Sequence, residues 1–207
     1  MLYDITPPIT PATRVWPGDT PPSREVLLDM KRGDNLTLST LHTTVHVGAH
    51  ADGPNHYGTD ARAIEAQPIE LYLGPCQVVT VDVERGGRIS ADAIHRPIER
   101  ERVLFRTDTF DGHEIWNEDF AGIEPALVDT LAARGVRLVG IDTPSVDDFA
   151  SKTLPAHARF LANDVAIIEG LTLDGVPDGN YELIALPLKL VGFDASPVRA
   201  VLRSERR

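Results

Sequence analysis

Cysteine is nearly absent: Cys76 stands alone among 207 residues. That excludes an intramolecular disulfide framework and a cysteine-based zinc site, and Cys76 reads as a small buried hydrophobe. Long apolar runs are missing too. No stretch approaches the ~20 residues that span a bilayer, and Met1-Leu2-Tyr3-Asp4-Ile5 has no basic segment followed by an apolar one. The expectation is a soluble, cytoplasmic protein with no membrane partner. A basic stripe is also lacking. The net charge is −11, which argues against a nucleic-acid partner, since nothing would neutralise phosphates. Arg203 to Arg207 make only a short basic tail, read as solvated. No Gly-rich strand-to-helix turn, Walker loop or G-x-S-x-G elbow occurs, so a doubly wound nucleotide fold and a serine-elbow hydrolase find no support.

What is present suits one globular domain over residues 1–207. The chain is 42% apolar and 25% charged, ordinary for a folded protein with a substantial core. Prolines between positions 7 and 21 make the beginning an extended, turn-rich arm that carries Trp16. Arg24 to Lys31 and Leu36 to Val47 alternate as strands around a Gly33-Asp34-Asn35 turn. Further strands are expected at Cys76 to Val83, Arg102 to Arg106, Val136 to Ile141, Val165 to Glu169, Tyr181 to Leu188 and Arg199 to Leu202. Ser90 to Ile94 reads as a short serine-capped helix. Pro125 to Arg134 reads as an amphipathic helix with Ala126, Leu127, Thr130 and Leu131 on one side, and residues 154–163 form a helical stretch with His157. Strands outnumber helices without strict alternation. The fold class is therefore α/β with a mixed, curled sheet and a few peripheral helices.

The most informative stretch is His46-Val47-Gly48-Ala49-His50-Ala51-Asp52-Gly53-Pro54-Asn55-His56. Imidazole and carboxylate are donors for zinc and other divalent transition metals. In a straight strand His46 and His50 would lie roughly 13 Å apart, too far to share an ion comfortably. A helix would bring them together, but Val45, Val47, Gly48 and Gly53-Pro54 oppose one. The remaining solution is a strand that bends as it leaves the sheet, with Gly48 and Gly53 permitting unusual backbone angles. His42 has the same parity as His46, and strand periodicity alone explains it.

Three local ligands leave a metal under-coordinated, and His157 and Glu169 are the downstream candidates. Spacing alone leaves each balanced between a structural residue and a ligand. If both join, His46, His50, Asp52, His157 and Glu169 are too many for one four-coordinate ion and about right for two bridged by Asp52. His56 is then free for proton transfer, its ordinary pKa near 6.5 suiting it to accept and return a proton. Such a set points to metal-dependent hydrolysis of an amide, ester or lactam.

The stretch HVGAHADGPNH resembles the H-x-G-T-H-x-D-x-P-x-H signature of the cyclase-like metal-dependent hydrolases. Within them the chain is similar to the bacterial kynurenine formamidase (arylformamidase) branch over nearly its whole length. That similarity is carried by YDITPPITPATRVWPGDTP, HVGAHADGPNHY, GIDTPSVDDFASKTLPAH, IIEGLTLDGVPDGNYELIALPLKL and DASPVRAVL. The resemblance implies a swivelling β/β/α fold, usually as a homodimer. It also implies two zinc ions, the first on His46, His50 and Asp52 and the second on Asp52, His157 and Glu169. His56 would carry protons and Trp16 would contact the substrate. The implied reaction is hydrolysis of N-formyl-L-kynurenine to L-kynurenine and formate in tryptophan degradation. Ala49 replaces the Thr of the broad signature, and Gly53 and Asn55 replace the commoner apolar residues. A relative that opens a cyclic amide such as isatin with one manganese ion, and a non-catalytic metal-binding protein, are the rival readings.

Overall fold

The computed structural model describes residues 1–204, so positions 205–207 of the basic tail lie outside the described residues. The first half runs β1 (Leu2–Asp4), β2 (Ser23–Leu28), β3 (Leu38–His42), β4 (His50–Asp52), β5 (Leu73–Thr80), β6 (Arg88–Ile89) and β7 (Arg102–Arg106). The second half runs β8 (Gly122–Ile123), α1 (Pro125–Ala133), β9 (Leu138–Ile141), α2 (Pro155–Asn163), β10 (Ala166–Glu169), β11 (Gly179–Ile184), β12 (Ala195–Pro197) and β13 (Val201–Ser204). Neither helix is long or apolar enough to cross a membrane.

Nine strands form one curled mixed sheet in the order β1-β13-β11-β5-β7-β9-β10-β4-β12. Its centre, β5-β7-β9-β10, is parallel, and the flanking pairs are antiparallel. The parallel strands read as unbroken apolar runs because both their faces are buried. Val103, Phe105, Val139, Ile141 and Ile167 turn toward α1 and α2, where Leu127, Val128, Leu131 and Phe160 meet them. Leu104, Leu138, Ala166 and Ile168 turn the other way and pack with Ala49, Ala51, Tyr72, Leu183 and Leu202. Burying these two layers supplies the main driving force for folding.

Several local expectations are corrected by this packing. The side of α1 that faces the core is Leu127, Val128 and Leu131, while Ala126 is exposed; a branched apolar side chain gains more from burial than Ala. Ser90 precedes a single 3-10 turn, Ala91–Ala93, and its side chain does not cap it. The hairpin β2–β3 forms as expected, but its turn begins earlier, at a 3-10 turn over Met30–Arg32 that ends on Gly33 at φ +93°. Most consequentially, β3 stops at His42 and belongs to a separate two-stranded ribbon. The strand that feeds the histidine stretch is instead β4, a three-residue strand of the main sheet. Residues 43–49 between them are irregular.

Candidate metal centre

Strand parity places the candidate residues. On β4, Ala51 and the preceding Ala49 enter the core layer on one face, so His50 and Asp52 point to the opposite face. On β10, Ile167 faces the helices and Glu169 shares its parity. The β10–β4 ladder pairs Glu169 directly with His50. Glu169 is therefore interior, with strands on both sides and only 4% exposed. His157 enters from the first turn of α2, and His46 from the irregular segment before β4.

Gly48 makes the bend. Its φ of +58° is the left-handed conformation that glycine adopts without cost. Gly53, by contrast, is extended at φ −83°. It is required for space, because a Cβ there would lie 2.8 Å from the Ile64 backbone nitrogen.

The distances close the set. Asp52 Oδ1 lies 3.4 Å from His46 Nδ1 and 3.6 Å from His50 Nε2, while its Oδ2 lies 3.6 Å from His157 Nε2. Glu169 Oε2 is 3.4 Å from His50 Nε2, and its Oε1 is 3.6 Å from His157 Nε2. Three groups of three present ligand atoms close enough for one ion: His46-His50-Asp52 and Asp52-His157-Glu169, which share Asp52, and the more exposed His46-His56-Asp194.

The far side of each imidazole is held. His50 Nδ1 meets the Gly48 carbonyl at 3.0 Å, His157 Nδ1 meets Asp147 Oδ2 at 2.8 Å, and His46 Nε2 meets Asp194 Oδ2 at 3.0 Å. Such outer partners fix ring orientation and leave the opposite nitrogen bare for a cation. Asp147 also accepts from the backbone nitrogens of Ala156 and His157, so it caps α2 and orients its histidine together. Val146 N donates to Glu169 Oε1 at 2.8 Å. The loop after β9 thus supports the cluster through the Val146 N–H and the Asp147 carboxylate.

Charge balance argues for a cation at this place. His50 Nε2 and both Asp52 oxygens are buried without a hydrogen-bond partner among the described residues, a costly state for polar atoms unless something else occupies them. Burial opposes charge on His46, but Asp52 and Asp194 prevail and raise its pKa to about 9. Burial likewise opposes charge on His157, yet Asp147, Asp52 and Glu169 hold its pKa well above the usual value. Asp52 stays well below the carboxylate range despite full burial, because the imidazoles of His157 and His46 stand at ion-pair distance beside it. The cluster is built around positive charge, and a mixed set of carboxylate oxygens and imidazole nitrogens suits a divalent transition metal.

His56 ends a 3-10 turn over Pro54–His56 and is about a third exposed. Its ring centroid lies 4.2 Å from that of His46 and 6.2 Å from that of His157. Burial, with His46 and His157 nearby, lowers its pKa from the ordinary value. His42 takes no part; it is exposed on the ribbon, 3.2 Å from Glu25.

A cavity of about 410 Å³ opens over the cluster, lined by His46, His50, His56, His157 and Glu169 at its base. One wall is aromatic. Trp16 stacks at a tilt on Phe149, centroids 4.9 Å apart, and meets Trp116 edge-on at 5.7 Å. Phe110 extends the wall, and Arg14, Asp19 and Lys152 also line the cavity. Trp16 is thus both anchored and partly open, at 36% exposure. Sequence reasoning missed Asp147, Asp194, His113 and the partners of Trp16. They come from three distant segments, and only the fold brings them to the cavity or to the histidines at its base.

Residues 3–148 match the Cyclase family, described as "Putative cyclase". Solved structures agree over the full length. A potential metal-dependent hydrolase with cyclase activity is 30% identical, with a TM-score of 0.86 over 100% of this chain and 99% of that one. A predicted metal-dependent hydrolase from Bacillus stearothermophilus is 32% identical, with a TM-score of 0.82 over 98% and 97%. Isatin hydrolase A from Labrenzia aggregata, at 24% identity, shares the fold with a TM-score of 0.82 over 99% and 94%. A buried His/Asp/Glu cluster fit for a metal, in a chain matched this widely, makes the protein a member of the Cyclase family of metal-dependent hydrolases.

Proposed function

We propose that this protein hydrolyses N-formyl-L-kynurenine to L-kynurenine and formate with the aid of two zinc ions, for which Asp52 would be a shared ligand. The observation that carries the reading is the cavity's double character. An aromatic wall of Trp16, Trp116, Phe149 and Phe110 stands beside the cluster, and Arg14, Lys152 and Asp19 line the same space. An aryl formamide that carries an amino-acid side arm needs both: a stacking surface for its ring and charges of each sign for its carboxylate and ammonium. Isatin, a neutral bicyclic amide, would use the wall and leave the charges idle.

His46, His50 and Asp52 would hold the first ion, and Asp52, His157 and Glu169 the second. When bound, zinc supplies positive charge that polarises a carbonyl and acidifies water. The chain's own residues do the rest. Trp16 and its aromatic neighbours fix the aryl ring so that the formyl carbon faces the cluster. His56, neutral because its pKa is lowered, accepts the proton of the attacking water as the new C–O bond forms. It then returns that proton to the aryl nitrogen as the C–N bond breaks, releasing formate and the amine. An anilide nitrogen leaves more readily than an alkyl amine, which suits a single imidazole to the task.

The reading extends to a homodimer. The β2–β3 ribbon projects Val26, Leu27, Met30, Leu38 and Leu41 into solvent, an apolar display that a second copy would cover.

The test is an assay on N-formyl-L-kynurenine and isatin in parallel, with metal analysis before and after chelation. About two equivalents of zinc with chelator-sensitive deformylation would support the reading. Rapid opening of isatin with no action on the formamide would replace it with the cyclic-amide reading, and a fully metallated protein inert toward both would be no hydrolase of this kind.

A further inference from the structure

Asp194 takes no part in the scheme above, yet its carboxylate touches two of the cavity's histidines. It stands just before β12, whose Ala195 pairs with Asp52. Its backbone oxygen accepts from Gly53 N at 2.7 Å. The bare α-carbon of Gly53 admits that approach: a Cβ there would lie 3.1 Å from the Asp194 carbonyl oxygen. With its backbone pinned, Asp194 leans over the corner. Oδ2 lies 3.0 Å from His46 Nε2 and 3.5 Å from His56 Nδ1.

We propose that Asp194 is a positioning residue that fixes the tautomers of His46 and His56 through one oxygen. Its side chain is 47% exposed, and an exposed carboxylate is ionised at neutral pH and can only accept. His46 Nε2, hydrogen-bonded to it at 3.0 Å, therefore carries a proton, and His56 Nδ1, turned to the same oxygen at 3.5 Å, is favoured as a proton-bearing nitrogen by its charge. With the Nε2 proton so held, the atom His46 would offer a bound cation is Nδ1, 3.4 Å from Asp52 Oδ1. His56 is left with a bare Nε2 on a ring that lines the cavity. The two demands differ in kind. Free neutral imidazole favours the proton on Nε2, so His46 is held in its preferred form and His56 in the less favoured one. A base oriented by a third group in this way follows the general logic of catalytic triads. Here the third group also braces a metal-ligand candidate, so the proton carrier and the cluster share one support.

The kinetic part of this inference rests on His56 acting as proton carrier; the tautomer part does not. The experiment is ring-nitrogen NMR of the zinc-loaded and zinc-free protein, comparing wild type with Asp194→Asn, Asp194→Ala and Asp194→Glu. In the wild type His56 should show a protonated Nδ1. In Asp194→Ala it should revert to protonated Nε2, with intermediate behaviour in Asp194→Asn and retention in Asp194→Glu. On N-formyl-L-kynurenine, kcat of Asp194→Ala should fall by about 10- to 100-fold, with KM within about twofold and partial rescue by added acetate. A His56 that keeps its Nδ1 proton in both Asp194→Ala and the near-isosteric Asp194→Asn overturns the proposal. A wild-type protein inert toward the formamide would sink the functional reading, while the tautomer spectrum would still decide this one.

Discussion

Glu169 stands directly opposite His50 across the β10–β4 ladder, with Oε2 3.4 Å from Nε2. The main sheet itself therefore brings a residue from position 169 to one at position 50, with no loop needed to bridge them. Oε1 of the same carboxylate faces His157, so Glu169 touches both histidines that flank Asp52. Substituting Glu169→Gln keeps the shape and removes the charge. Bound zinc should drop from about two equivalents to about one, measured by elemental analysis, and turnover should fall by at least about 100-fold. Unchanged stoichiometry would remove Glu169 from the ligand set.

His56→Asn should spare metal content and cost about 100- to 10,000-fold in kcat, the usual worth of a positioned acid–base. The pH profile separates this from a structural effect. Because burial lowers the His56 pKa, its neutral form dominates at pH 7, and the acid limb of kcat/KM should lie below pH 6.5. That limb should vanish from the residual activity of the variant. A full-rate variant with metal bound would leave His56 without a catalytic part.

His113 offers a pH test of stability. Burial, with the charge of His50 nearby, pushes its pKa down to about 4, against a Gly170 backbone hydrogen bond that works the other way. The folded value lies below the unfolded value of about 6.5. The unfolded chain therefore takes up a proton that the folded protein refuses. The stabilising contribution is complete above about pH 6.5 and is lost as pH falls through about 4, with an upper bound of about 3 kcal/mol. In urea denaturation, His113→Gln should lose less stability than wild type between pH 6.5 and 4. Parallel curves for the two proteins would refute the assignment.

The ribbon can be tested by charge. Leu41 is 61% exposed on β3, within the apolar display of the hairpin. Covering each such leucine with a second copy contributes about 1 kcal/mol, being only part of a full side-chain burial. A double substitution, Leu27→Lys with Leu41→Glu, should convert a dimer to a monomer in sedimentation. A wild-type protein that sediments as a monomer would rule the homodimer out.

The legible part of this protein was the part governed by local pattern. Val103-Leu104-Phe105 and Ala166-Ile167-Ile168 announce two-sided burial, and the helices at residues 125 and 155 begin on prolines that suit a first turn. The histidine stretch announces itself because imidazole and aspartate rarely crowd among glycines without a reason. Register was not legible. Nothing in the sequence says that Glu169 pairs with His50, or that β3 ends at His42 and leaves the corner to a three-residue strand. Those outcomes depend on sheet order, a property of the whole chain. Asp147 and Asp194 were hidden for the same cause: each acts through a histidine that lies 10 or more residues away in sequence.

Gly170 follows β10 at φ +66°, and a Cβ on it would sit 2.2 Å from the Gly48 carbonyl oxygen. That oxygen is the one that grips His50 Nδ1. The bare α-carbon of residue 170 and the carbonyl of residue 48, more than a hundred positions apart along the chain, thus press together beneath the catalytic floor. Even the smallest side chain added at 170 would shove the carbonyl aside and swing an imidazole off its mark, disabling chemistry that the intruding methyl never meets.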